Sequence, residues 1–194
     1  QNYIDNFFNN ELKVDFTGMI VITRDLINLL ISSTIVSIIF SLIIIGIIAS
    51  IFFRKLLWGI LAVIPLSSAV LINFGFMGYF GIELSHVTAI LSSIIIGVGV
   101  DFAIHYIAQF RRLSRTVSEE KLSREVVDDV GYPIILDAAS NMGFGALLFS
   151  SFLPIQYIGG LMIFAMVSTS LGTLTVLSAL AELLKKRLLE KKLI

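Results

Sequence analysis

No cysteine occurs in this chain, which excludes disulfides, zinc–thiolate sites and thiol chemistry. Charge is scarce. Only 14% of residues are Asp, Glu, Lys or Arg, against about 25% in ordinary soluble domains. The formal net charge is zero, so no basic excess points to nucleic acid. No nucleophile triad, metal cluster or phosphate-binding loop can be assembled, so neither an enzyme nor a cofactor is expected. The pair Gly97-x-Gly99 lacks the third glycine of a dinucleotide fingerprint and lies in an apolar run. No cleavable signal peptide opens the chain, because residues 1–11 are polar and aromatic with no charged n-region. The first residue is Gln1 and not Met, which suggests a fragment or a processed product.

What the chain has in abundance is apolar surface. Hydrophobic residues make up 57% and the mean hydropathy is +0.96, where soluble domains sit near 45–50% apolar. A membrane span needs about 20 apolar residues to cross roughly 30 Å of hydrocarbon. Five stretches qualify: about 27–53, 56–80, 84–110, 133–153 and 157–184. The fold class is therefore an all-α membrane protein, a five-helix transmembrane bundle over 26–184. The first helix would reach ~40 Å at 1.5 Å per residue, so it is tilted or extends beyond the bilayer.

The basic residues orient the bundle. Arg54 and Lys55 lie between helices 1 and 2. Arg111, Arg112, Arg115, Lys121 and Arg124 lie between helices 3 and 4, and a basic tail at 185–194 follows helix 5. Twelve of the 14 Lys and Arg thus fall on one side, with Lys13 and Arg24 on the other. The positive-inside rule makes that side, and the C-terminus, cytoplasmic. Residues 1–25 are then external, with 13–22 resembling a short strand. Residues 116–130 read as an amphipathic helix on the cytoplasmic face. Thr116 and Glu119 fit a capping box, Leu122, Val126 and Val130 form an apolar stripe, and Gly131 and Pro133 end it. A solvated loop helix is the alternative.

Polar residues inside the spans are the candidate site. Asp101 lies ten residues before Arg111, or ~15 Å deep and close to the midplane, where a charge costs ~2.5–3.5 kcal/mol. His105 follows on the same face at i+4, ~9 Å deep, and Gln109 at i+8. Helix 4 carries Asp137 and Asn141, also at i and i+4, with Ser140 beside them. Their depths of ~6 and ~12 Å from Pro133 match an antiparallel partner. If the faces meet, Asp101 lies near Ser140 and Asn141, and Asp137 near His105. Such a chain can accept and pass a proton, since His titrates near neutrality. Other readings stay open: Asp137 as a first-turn carboxylate on the helix dipole, and His105 as a structural donor. Small residues on helix 5 (Ala165, Ser168, Gly172), the serines of helix 1 and Gly97 read as close-packing surfaces. Pro65 is expected to kink helix 2. Phe74, Phe76, Tyr79 and Phe80 fit an outer aromatic belt.

Two runs carry a resemblance. The first is Ile82-Glu83-Leu84-Ser85-His86-Val87-Thr88-Ala89, then Ile96-Gly97-Val98-Gly99-Val100-Asp101-Phe102-Ala103-Ile104-His105-Tyr106, then Arg111-Arg112. It resembles the fourth helix of a repeat in the RND superfamily of exporters. The second, Gly131-Tyr132-Pro133-Ile134-Ile135 and Asn141-Met142-Gly143-Phe144-Gly145-Ala146, resembles the helix that follows it. The branch is similar to the MmpL, hopanoid-transporter and Patched-like exporters. The resemblance implies the last five helices of one repeat, with 1–25 as the tail of an extracytoplasmic domain. The basic C-terminus suggests the second repeat. It implies proton translocation through Asp101 and export of lipid or another hydrophobic substrate from a bacterial or archaeal inner membrane. The partners would be the remaining repeat and external domain, membrane lipids and the substrate. That branch usually has Tyr after the aspartate. Phe102 stands here, leaving His105, Asn141 or the missing repeat as proton partner. The drug-efflux branch often has two adjacent acidic residues, and here there is one. Two rivals share the helix arrangement: a SecD/SecF-like protein-export auxiliary and a non-transporting, sterol-sensing-like lipid-binding scaffold.

Overall fold

The computed structural model describes residues 18–189, which are helical with no strand among them. α1 spans Met19–Phe53, α2 Leu56–Tyr79, α3 His86–Leu113 and α4 Leu122–Asn141, the last prolonged by a 3₁₀ segment at Met142–Phe149. α5 spans Leu153–Gly172, passes through a π turn at Thr173–Leu177 and continues as α6, Ser178–Leu189. Taking α4 with its extension and α5 with α6, five helical units are long and apolar enough to cross a membrane. The all-α five-helix membrane protein expected from composition is the fold observed.

Several local expectations are corrected. The strand expected over 13–22 lies partly outside the described residues, and the part within them, 19–22, is helix. Four consecutive apolar residues offer no alternation for a sheet, and the Thr23 hydroxyl already donates to the Met19 carbonyl at 2.7 Å. The separate amphipathic helix over 116–130 does not form. Residues 114–121 are turn, the Thr116 hydroxyl donates back to Leu113 at 3.3 Å, and α4 starts at Leu122 without a side-chain cap. Gly131 and Pro133 lie inside α4 and do not end a helix. Proline removes one backbone donor but holds a helical φ, and packed neighbours in a spanning helix absorb the loss. The stripe of Leu122, Val126 and Val130 is buried against the bundle. Pro65 lies inside α2. The expected basic tail is helical as far as it is described, to Leu189.

The core is built by α2, α3 and α5. Leu61, Leu66, Phe102, Ile107, Leu161 and Met166 are almost wholly enclosed. α1 is peripheral, with only Thr34, Ala49 and Phe53 buried among its described residues. An aromatic chain joins three helices at one end: Trp58 packs edge-on to Phe110 at 5.5 Å and leans on Phe53 at 6.5 Å. That end is also where the basic loops meet. The Lys55 ammonium donates to the Leu188 carbonyl at 2.8 Å, Lys185 donates to the Glu119 carbonyl at 3.2 Å, and Arg111 sits 5.5 Å over the Phe53 ring. Three loops that alternation of spans sends to one side are therefore in contact. At the opposite end Phe76 stacks on Phe164 at 4.1 Å, while Tyr79 is exposed.

Two glycines set the closest helix approaches. A Cβ on Gly59 would overlap the Gly46 carbonyl oxygen and the Ser50 hydroxyl of α1. A Cβ on Gly99 would stand 2.7 Å from Leu66 and 2.8 Å from Thr169. Gly97, the glycine expected to pack, is exposed. Gly59→Ala should therefore lower stability by about 1–3 kcal/mol, the usual cost of overpacking. Gly99→Ala should cost less, because its Cβ would meet side-chain methyls of Leu66 and Thr169 and no backbone atom. Gly75→Ala should cost nothing, because no atom lies within 4 Å of its Cβ position. Melting temperatures in detergent that rank these three differently would contradict the packing.

Candidate functional site

α3 starts at a reciprocal cap. The Thr88 amide donates to the Ser85 hydroxyl at 3.3 Å and the Ser85 amide donates to the Thr88 hydroxyl at 2.7 Å. From that fixed start, Leu91, Ile95, Gly99, Phe102, Tyr106 and Phe110 face the core. Two residues along a helix turn the side chain by ~200°. With Gly99 inward, Gly97 and Asp101 must point outward, and they do. Asp101 and His105 are exposed on the bundle's outer side, and Gln109 follows half-buried.

α4 runs beside this stripe and closes one flank of it. The two helices enclose a cleft of about 340 Å³. His105, Gln109 and Arg112 line it from α3, and Asp129, Pro133 and Asp137 from α4, with the fully buried Phe102 at its back. Toward the basic end, the Asp129 carboxylate accepts from the Gln109 amide and from Arg112 Nη2, the latter at 3.1 Å.

The structure brings some of the expected residues together and not others. His105 and Asp137 share the cleft. Asp101 lies one turn beyond it and makes no hydrogen bond among the described residues. No direct hydrogen bond joins it to Ser140 or Asn141. The Asn141 amide instead donates along its own helix, to the Asp137 carbonyl at 3.0 Å and carboxylate at 3.2 Å, and Ser140 is exposed. An i, i+4 partner on the same helix is always within reach, whereas a cross-helix partner requires the faces to be rotated into register. Asp137 also sits about four turns into α4, so a first-turn dipole role does not apply to it.

Sequence reading missed Asp129. The signal was present: Asp129, Pro133, Asp137 and Asn141 recur every four residues and form one face. Treating Pro133 as a helix start hid the first of them. A second polar set, facing inward, was also missed. The Asn73 amide donates to the Leu161 carbonyl at 3.1 Å between α2 and α5, and the Thr169 hydroxyl donates to Ala165 at 2.7 Å. The buried Thr173 hydroxyl has no hydrogen-bond partner among the described residues. Among the described residues, no three His, Asp or Glu side chains cluster as a metal site would require. The cleft thus carries two carboxylates, from Asp129 and Asp137, and the imidazole of His105.

The family model described as the MMPL family matches residues 5–192. No curated protein and no solved structure matches the chain.

The absence of cysteine allows the cleft to be read directly. His105→Cys and Gln109→Cys should react with a small water-soluble maleimide several-fold faster than Tyr106→Cys and Ile107→Cys, whose side chains are buried. Equal rates at the four positions would contradict this rotation of α3.

Proposed function

The chain belongs to the MMPL family, a membrane-transport family of the RND superfamily, and on that footing we propose that it is half of a proton-motive-force-driven exporter of lipid or another hydrophobic molecule. The observation that carries the proton part is the cleft in which His105 and Asp137 meet one turn from Asp101. Asp101 is the proton-binding carboxylate in this reading. His105 and Asp137 continue the relay toward the basic end, with Asn141 holding the Asp137 carboxylate and Ser140 beside it. Phe102 is buried and has no hydroxyl to contribute, so His105 takes the role of proton partner.

The charge pattern supports the basic end, and with it the C-terminus, being cytoplasmic. The host membrane would be a bacterial or archaeal inner membrane, with residues 1–25 leading from an extracytoplasmic domain. The exposed Asp101 face argues for partner helices. A bare charge there would cost ~2.5–3.5 kcal/mol against hydrocarbon, and helices of the remaining repeat would remove that cost. A second reading, a lipid-binding scaffold without transport, is favoured by a different feature. Along one side of the α1–α2 contact lies an apolar groove of about 740 Å³ lined by Ile43, Gly46, Ile47, Ile60 and Val63.

Efflux in proteoliposomes against an imposed pH gradient separates the two. In the complete transporter, Asp101→Asn should abolish transport while leaving insertion and melting unchanged, because Asn keeps the size and hydrogen bonding but cannot release a proton. His105→Ala should slow transport and shift its pH profile less severely, since water in the cleft can replace one relay member. Normal transport by Asp101→Asn would exclude the relay. Lipid binding without gradient-driven efflux in the wild type would favour the scaffold.

A further inference from the structure

The relay described above ends at His105 and Asp137, but the cleft that holds them continues to Asp129. We propose that Asp129 is the cytoplasmic gate of the proton path, closed by its ion pair with Arg112 and its hydrogen bond from Gln109. This rests on the proton-coupled reading. Asp129 and Arg112 line the same cleft as His105 and Asp137, and their side chains are 49% and 71% exposed. Gln109 and Arg112 stand about one and two turns nearer the basic end of α3 than His105, so the pair occupies the mouth of the cleft on that side. The cleft volume of about 340 Å³ is several times the ~30 Å³ share of one water, room for a bridging chain between the imidazole and the carboxylate.

The step balances simply. A proton leaves the His105 imidazolium through water and binds an Asp129 carboxylate oxygen, giving a neutral imidazole and a carboxylic acid. The neutral acid no longer attracts the Arg112 guanidinium, so the pair opens. The acid then loses its proton to cytoplasmic water, and the carboxylate pairs with Arg112 again. Net, one proton moves from the imidazolium to bulk water.

Few other charges face Asp129. From α3 come His105, Gln109 and Arg112. On α4 itself, Asp137 is two turns away and Asp128 leans toward Arg124 at 4.0 Å. From α6, Glu182 is engaged by the Ser123 hydroxyl at 2.5 Å and by Lys185. α5 and the 3₁₀ segment carry no charged residue at all.

A plain staple between α3 and α4 is the competing role, and the two partners of the pair distinguish it. The measurement is proton flux through the complete transporter in proteoliposomes, with and without substrate, while the cytoplasmic-side pH is varied. Asp129→Asn should lower coupled flux roughly a hundred-fold or more, the low end of what a lost acid–base group costs, and remove its response to cytoplasmic pH. Asp129→Glu should restore both. Arg112→Gln should act in the opposite direction, raising substrate-independent proton leak several-fold because the gate no longer closes. A staple predicts that both variants lower the melting temperature and leave the pH response intact, and that result would overturn the gate. If Asp129→Asn does not insert, unchanged or reduced leak in Arg112→Gln is sufficient to overturn it. Should Asp101→Asn be inactive while Asp129→Asn keeps the wild-type pH response, only the gate fails. Should Asp101→Asn transport normally, the proton reading fails with it.

Discussion

The rotation of α3 governs the polar chemistry of this bundle, and the contact that sets it is the seat of Gly99 between Leu66 of α2 and Thr169 of α5. In hydrocarbon, helices gain no hydrophobic advantage from associating, so close packing and interhelical hydrogen bonds decide how they dock. A residue without a side chain at 99 lets α3 sink toward its neighbours. Phe102, Tyr106, Ile107 and Phe110 then fill the layers on the cytoplasmic side of that point in the proposed orientation. Once that face is committed, helical geometry leaves Gly97, Asp101 and His105 no choice but the opposite side. The outward stripe is thus a consequence of an inward contact, and nothing at Asp101 itself is needed to hold it there.

The basic end is organised by different forces. The last carbonyls of a helix lack intrahelical donors, and Lys55 from the α1–α2 turn supplies them to Arg187 and Leu188 at 3.4 and 2.8 Å. Lys185 bonds both Glu182 on its own helix and the backbone of the 114–121 turn, and Glu182 reaches Ser123 at the start of α4. Exposed pairs of this kind contribute only about 0–1 kcal/mol each. Their effect is positional: they fix where α4 begins relative to α3 and α6. That start sets the register that places Asp129 opposite Gln109 and Arg112, and Asp137 opposite His105.

The five spans were legible because mean hydropathy is insensitive to detail: each run is far longer and more apolar than a soluble helix requires. Boundaries were less legible. α4 begins eleven residues before Pro133, since a proline and a glycine that stop a helix in water do not stop one whose neighbours replace the missing bond. The apolar stripe over Leu122, Val126 and Val130 was readable, but a stripe does not say whether a membrane or a bundle covers it. Depth matching found the His105–Asp137 layer, because an antiparallel pair preserves depth whichever way each helix is turned. It did not foresee that Asn141 bonds back to Asp137 on its own helix, because rotation is invisible to depth. Only the seat of Gly99, a contact with two other helices, fixes rotation, and the sequence presents Gly97 and Gly99 as equals.

This asymmetry between faces bears on how a proton could drive work in the proposed exporter. The stripe that carries Asp101 and His105 is also the one this bundle leaves uncovered, so any helices that cover it meet the carboxylate directly. Its charged form in hydrocarbon is disfavoured by ~2.5–3.5 kcal/mol, and its neutral form carries little of that cost. Covering helices therefore bind the two forms with different affinity. By linkage, the protonation state shifts how those helices sit, and how they sit shifts proton binding by the same factor. A coupling of that size corresponds to roughly a hundred-fold bias between two arrangements. A buried and permanently paired Asp101 would forfeit it, because its charge would be compensated in every arrangement. Asp101 has no partner among the described residues of its own bundle, which is what the proposed coupling of its proton to the helices opposite requires.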